Sequence, residues 1–166
     1  MTRSNQLYED WWPDEFLVAL LEKYSDNVEA IILYGSWLRG KRDTLPDFYV
    51  VFTNYDQLPS LWQKVANQLL EPNVYQLILS KRGIKCSAKY ATISLKHLEK
   101  KITTGFHPYL WARFSQPSSV IYVKSDKARS TLNTLIKSSQ KRMMEEALGM
   151  TPNSFTSRQL WEKALT

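Results

Sequence analysis

Apolar residues recur along this chain with two different periods, and the changes of period mark out its elements. Pro13 stands where a helix can begin, and Asp14 and Glu15 suit the positive end of its dipole. Phe16, Leu17, Leu20, Leu21 and Tyr24 then recur on one face, which predicts an amphipathic first helix just after Trp11 and Trp12. The run VEAIILY, Val28 to Tyr34, is short, continuously apolar and rich in β-formers, and it stops at Gly35-Ser36, where a strand can turn into a helix. DFYVVFT, Asp47 to Thr53, is a second run of the same kind, so the two read as neighbouring buried strands.

Helical spacing returns after Pro59 with Leu61, Trp62, Val65 and Leu69, and strand character with Val74 to Ser80. The chain turns back around Lys81-Arg82-Gly83 into Ile84 to Ile93, which alternates: Lys85, Ser87 and Lys89 share one face, and Cys86, Ala88 and Tyr90 the other. Ser94 fits the N-cap of a short helix with Leu95, Leu98 and Ile102 inside, and Val120 to Val123 makes a small strand. Ala128, Leu132, Leu135, Ile136, Met143 and Ala147 trace one face of a long helix. Arg158 to Leu165 begins another, which meets no Gly or Pro stop before Thr166, so its pattern reads as cut short. No internal repeat occurs. The order predicts an α/β (α+β) fold, a mixed sheet with helices over residues 1–94, followed by a smaller, mostly helical unit over 95–166.

Composition narrows the class. The 166 residues, 43% hydrophobic and 23% charged, suit one globular domain or one and part of a second. No segment approaches the roughly 18 apolar residues of a membrane span, and Met1 to Asp10 lacks a signal-peptide core, so neither a spanning nor a secreted chain is expected. A lone cysteine, Cys86, forms no internal disulfide and fits a reducing compartment, and with only His97 and His107 it makes no zinc site. The net charge of +6 points to a polyanionic partner. Two basic tracts contribute: Lys81 to Lys101 carries seven Lys or Arg against Glu99, and Lys124 to Arg142 carries six against Asp126.

The chemistry is concentrated in LYGSWLRGKRDTLPDFYVVF, Leu33 to Phe52. Glycine permits close backbone approach, and N–H groups and a hydroxyl at a helix start can hold a triphosphate tail. Asp47, heading the adjacent strand, is then placed to hold Mg²⁺ against the same phosphates. On the alternating strand, Lys85 and Lys89 either meet an anion or form a solvated face. Arg113 either forks onto phosphate oxygens or stacks on Tyr109 or Trp111. Phe106, Tyr109 and Trp111 suit either the core or a lipid interface, with the core the commoner use of such residues.

Gly35-Ser36 with Asp47 on the next strand resembles the nucleotidyltransferase signature, although Tyr49 stands where a second carboxylate is usual and Asp43 is the nearest spare. YGS followed by Leu45-Pro46-Asp47-Phe48 is similar to the mitochondrial-type CDP-diacylglycerol synthases, the translocator assembly and maintenance family. Lys89 to Ser94 (KYATIS) and Tyr109 to Pro117 (YLWARFSQP) resemble two further blocks of that family, in the right order. Trp37 and Gln116 depart from its pattern. The resemblance implies a nucleotidyltransferase-like fold and Mg²⁺-assisted cytidylyl transfer from CTP to phosphatidate. It implies Tyr34, Gly35 and Ser36 on the nucleotide, Asp47 on the metal, and Lys89 and Arg113 as catalytic partners of phosphate. It further implies a cytoplasmic or matrix-like protein held peripherally on an anionic inner-membrane surface, with no nucleic acid favoured. Two alternatives are a nucleotidyltransferase with another acceptor and a non-catalytic module binding nucleotide, anionic lipid or RNA.

Overall fold

The computed structural model describes residues 12–41, 43–55, 72–81, 83–151 and 154–165. Trp11, Arg82 and the helix expected after Pro59 lie outside the described residues. The order is α1 (Trp12–Tyr24), β1 (Val28–Tyr34), β2 (Asp47–Phe52), β3 (Asn73–Lys81), β4 (Ile84–Ser94), α2 (Leu95–Thr103), α3 (Tyr109–Phe114), β5 (Ser118–Val123), α4 (Asp126–Gly149) and α5 (Ser157–Leu165). Among the described residues, five strands form one sheet in the order β3-β4-β2-β1-β5. β1 runs antiparallel to both β2 and β5, β3 antiparallel to β4, and β2 parallel to β4, so the sheet is mixed and the fold α/β.

The central strands read as unbroken apolar runs because both of their faces are covered. On one face Ile31, Leu33, Phe48, Val50 and Phe52 pack with Trp12, Phe16, Leu20 and Tyr24. Those four residues recur every fourth position and so form one stripe of α1. On the other face Ala30, Ile32, Tyr49, Val51, Ala91 and Ile93 meet Leu98 and Ile102 of α2, Leu110, Trp111 and Phe114 of α3, and Leu132, Leu135 and Met143 of α4. Burying one such side chain contributes about 1.5 to 3 kcal/mol, so the two layers hold the sheet rigid between them.

The long helix follows its predicted stripe, with Ser139 buried beside Ala128, Leu132, Leu135, Met143 and Ala147. The hydroxyl of Ser139 donates to the Leu135 carbonyl at 2.9 Å, which satisfies it in an apolar layer. Ser94 caps α2 as expected, accepting from the His97 N–H at 3.3 Å. The stretch after residue 94 contributes more than helices. β5 extends the sheet beside β1, and α2, α3 and α4 share their core with the sheet's second face.

Candidate functional site

The site forms at one end of that second face, where β1 ends and β2 begins. Tyr34 and Asp47 are register partners across the antiparallel pair, and Asp47 and Lys89 across the parallel one. Side chains alternate along a strand, so Asp47 shares its face with Tyr49, and Lys89 with Ala91. Arg113 arrives from α3, its Nη1 donating to the Tyr34 hydroxyl at 3.0 Å. Its guanidinium lies 5.6 Å from the centre of the Tyr34 ring and 4.4 Å from that of Tyr109. Both readings of Arg113 therefore meet in one geometry, since stacking on Tyr109 leaves part of its planar fork for an anion.

Gly35 has φ +88 and ψ −156, a region open essentially to glycine alone. That turn lets Tyr34 stay with the second face while Trp37 is buried in the core on the first. A Cβ at residue 35 would stand 3.4 Å from Asp47 Oδ2, so glycine keeps that side of the carboxylate clear. The segment after it corrects an expectation. Ser36–Arg39 is one 3₁₀ turn of four residues, closed by the Gly40 N–H on the Trp37 carbonyl at 3.1 Å, rather than a helix whose N-terminus holds a phosphate. The Ser36 hydroxyl lies 2.8 Å from Thr44 Oγ1, ties the two ends of the loop together, and is engaged within the chain.

Burial pushes the Asp47 carboxyl above the ordinary aspartate range, while Lys89 and Arg113 pull it the other way. Burial pushes the Tyr34 hydroxyl up to about 12 against the pull of Arg113, so it remains a neutral phenol throughout the physiological range. Burial works against the charge of Arg113, yet the oxygens of Tyr49, Tyr34 and Tyr109 outweigh it and hold the guanidinium above its ordinary value. The site thus presents one carboxylate between two cations.

Tyr49, at the position where the signature resembled by the sequence would carry a second carboxylate, belongs to the core. Its ring is fully buried, 4.8 Å from that of Tyr34 and 5.0 Å from that of Phe114, and burial drives its hydroxyl far above the usual tyrosine range. Asp43 does not replace it. It lies in an exposed turn, and among the described residues the charges that bear on Asp47 are Lys89 and Arg113. No group of three His, Cys, Asp or Glu side chains able to hold a metal occurs among the described residues. Mg²⁺ is commonly held by one or two carboxylates together with substrate phosphates, and a single carboxylate kept clear by Gly35 fits that shared mode.

Six residues singled out from sequence, Tyr34, Gly35, Ser36, Asp47, Lys89 and Arg113, converge at this end of the sheet, with Ser36 turned to Thr44. Sequence reasoning missed Thr44, which no spacing links to Ser36. It favoured the core for Tyr109, which is instead exposed beneath Arg113. The arginine four residues after Tyr109, one turn on in a helix, was the available signal.

No family model and no curated protein matches the chain. Among solved structures, a toxin-antitoxin with AMP-PNP is similar at a TM-score of 0.42 and 14% identity, covering 82% of this chain and 94% of that one. A toxin-antitoxin MntA-HpeT mutant is similar at a TM-score of 0.42 and 13% identity over the same shares. Likenesses this distant say nothing of what the chain does.

Proposed function

We propose that the chain is a cytidylyltransferase that uses CTP and Mg²⁺ to convert phosphatidate into CDP-diacylglycerol and pyrophosphate. One observation carries the reading. Asp47, Lys89 and Arg113 each come from a different one of the three blocks that resemble the CDP-diacylglycerol synthases, and the charges of Lys89 and Arg113 both bear on Asp47 at one end of the sheet. A carboxylate between two cations suits a reaction in which phosphates of donor and acceptor must be brought together despite their charge.

In this reading an oxygen of the lipid phosphate attacks the α-phosphorus of CTP. The new P–O bond forms as the bond to the β-phosphate oxygen breaks, and pyrophosphate leaves with the electron pair. The attacking oxygen is already ionised, so no protein nucleophile or base is required, and catalysis is positioning plus charge neutralisation. Lys89 and Arg113 neutralise and orient phosphate oxygens, with Tyr34 and Tyr109 fixing the guanidinium. Asp47 would hold Mg²⁺ jointly with the nucleotide, and the metal, when bound, supplies further charge neutralisation on the triphosphate. Ser36 acts through the loop it closes with Thr44.

Tyr49 favours a second reading, a module of the same site that binds nucleotide without turnover, because its packed ring denies the site a second carboxylate. A panel of CTP, ATP, GTP and UTP against phosphatidate and soluble phosphate acceptors separates these readings. CDP-diacylglycerol formed from CTP and phosphatidate supports the first. Tight nucleotide binding with no product from any pair supports the second.

A further inference from the structure

Among the described residues, the second face of the β3–β4 hairpin is covered only at its β4 end, where Ala91 and Ile93 are buried against α2, α3 and α4. Tyr75, Leu77 and Leu79, opposite Tyr90, Ala88 and Cys86, lie against the core beside α1. On the other face Val74 and Ile78 remain 61% and 60% exposed, opposite Ala91 and Ser87. Lys85 and Lys89 share that face and are exposed as well. Pro72, two residues before Val74, lines a cavity of about 440 Å³ whose walls include Phe106, Tyr109 and Leu110. Phe106 is fully exposed at the rim. Tyr109 belongs both to this cavity and to the site, since Arg113 stacks on it. A mixed strip of exposed apolar side chains and lysines, with Gln76 exposed between Val74 and Ile78, thus leads from the hairpin past the cavity to the residues that flank Asp47.

We propose that this strip is the surface on which the chain docks to an anionic phospholipid bilayer, with Phe106, Ile78 and Val74 entering the acyl boundary and Lys85 and Lys89 meeting acidic headgroups. The inference deepens the phosphatidate reading and rests on it for the lipid that Arg113 receives. Charge complementarity selects the occupant: isolated apolar side chains among lysines suit a negatively charged interface, and of these side chains Phe106 and Tyr109 offer a nucleic-acid base a stacking face while Val74 and Ile78 offer none. The surface also differs from the one that composition favoured, the tract Lys124 to Arg142. There Lys141 pairs with Glu145 at 3.5 Å, and Lys124 donates to the Asp26 carbonyl. Arg142 donates to the Ile102 carbonyl at 3.2 Å and lies 5.1 Å from the Trp111 ring centre. Three of its cations are engaged within the chain.

The test is co-sedimentation of the full chain at low salt with vesicles of phosphatidylcholine, alone or mixed with phosphatidate or phosphatidylglycerol. Binding is expected to the anionic mixtures, and not to phosphatidylcholine alone. The double variant I78S/F106S should bind about a hundredfold less, since withdrawing each large apolar side chain from the interface costs about tenfold, with its circular dichroism unchanged because both side chains are exposed. K85A should bind about fivefold less, and K127A/K137A on α4 should bind like the parent chain. Undiminished binding by I78S/F106S, loss in K127A/K137A instead, displacement by single-stranded RNA, or no binding at all overturns the proposal. Turnover of CTP with a short-chain, water-soluble phosphatidate keeps the two ideas apart. Turnover without vesicle binding overturns the surface and leaves the reaction, and vesicle binding in the expected pattern without turnover does the reverse.

Discussion

Lys89 stands directly opposite Asp47 in the parallel pairing of β2 with β4. A slip of one residue in that register would send Lys89 to the face covered by α1 and leave Asp47 facing Tyr90 or Ala88. The register is held because Phe48, Val50 and Phe52 are buried on one face, and Tyr49 and Val51 on the other. The core thus fixes the position of the two charges.

Asp47→Asn should raise stability at neutral pH. The folded chain holds the Asp47 proton more tightly than the unfolded chain does, so the ionised carboxylate costs stability above its folded pKa. That cost vanishes as the pH falls below the ordinary aspartate range. Urea midpoints should be higher for the variant near pH 7 and converge on the parent's towards pH 3. A constant difference across this range would mean that burial does not govern the group.

Ser36→Ala should cost about 0.5 to 1.5 kcal/mol of stability, Thr44→Val more because Thr44 Oγ1 also donates to the Lys41 carbonyl at 3.1 Å, and the double variant little more than Thr44→Val alone. Denaturant titration of the three variants measures this. Fully additive losses would show that the two hydroxyls act separately.

Gly35→Ala should destabilise the chain by about 1 to 3 kcal/mol, because alanine is strained at φ +88. Its Cβ would also stand in contact with Asp47 Oδ2, at 3.4 Å on the side that glycine leaves open. Affinity for Mg²⁺ with CTP should therefore fall more than affinity for CTP alone, and calorimetry in the presence and absence of the metal reads the split. Equal losses would place the clear side of Asp47 away from the metal.

The two residues after Asp47 show what was legible in the sequence and what was not. Phe48 and Tyr49 lie in one apolar run, and run length together with the flanking Gly and Pro residues marks a buried strand, which fixes each element closely. The strand limits of β1 and the alternation of β4 were legible for the same reason, because burial on a face leaves a period in the sequence. Candidate site residues were legible where a glycine turn or a charge heading an apolar strand marks them, as at Gly35 and Asp47, and for Lys89 and Arg113 only through the blocks that resemble the synthases. The Ser36–Thr44 bond and the single 3₁₀ turn after Gly35 were not, since loop closure leaves no period. Nor was the exposure of Phe106, which depends on how α2 and α3 meet.

Tyr49→Phe should alter stability by about 1 kcal/mol or less, because the ring stack with Tyr34 and Phe114 survives. Tyr49→Asp should cost several kcal/mol by leaving a carboxylate in that stack. Thermal melts distinguish the two. A stable Tyr49→Asp variant with tighter Mg²⁺ binding would show that the position accepts the second metal ligand after all.

Parallel reactions with CTP labelled at either its α- or its γ-phosphorus, in the presence of phosphatidate and Mg²⁺, test the proposed chemistry most directly. Cytidylyl transfer predicts α-label in a lipid product and γ-label in pyrophosphate, in equal amounts. It also predicts that both are lost with Asp47→Asn and strongly reduced with Lys89→Ala and Arg113→Ala. Release of γ-label as inorganic phosphate, or CTP bound and recovered intact, would contradict it.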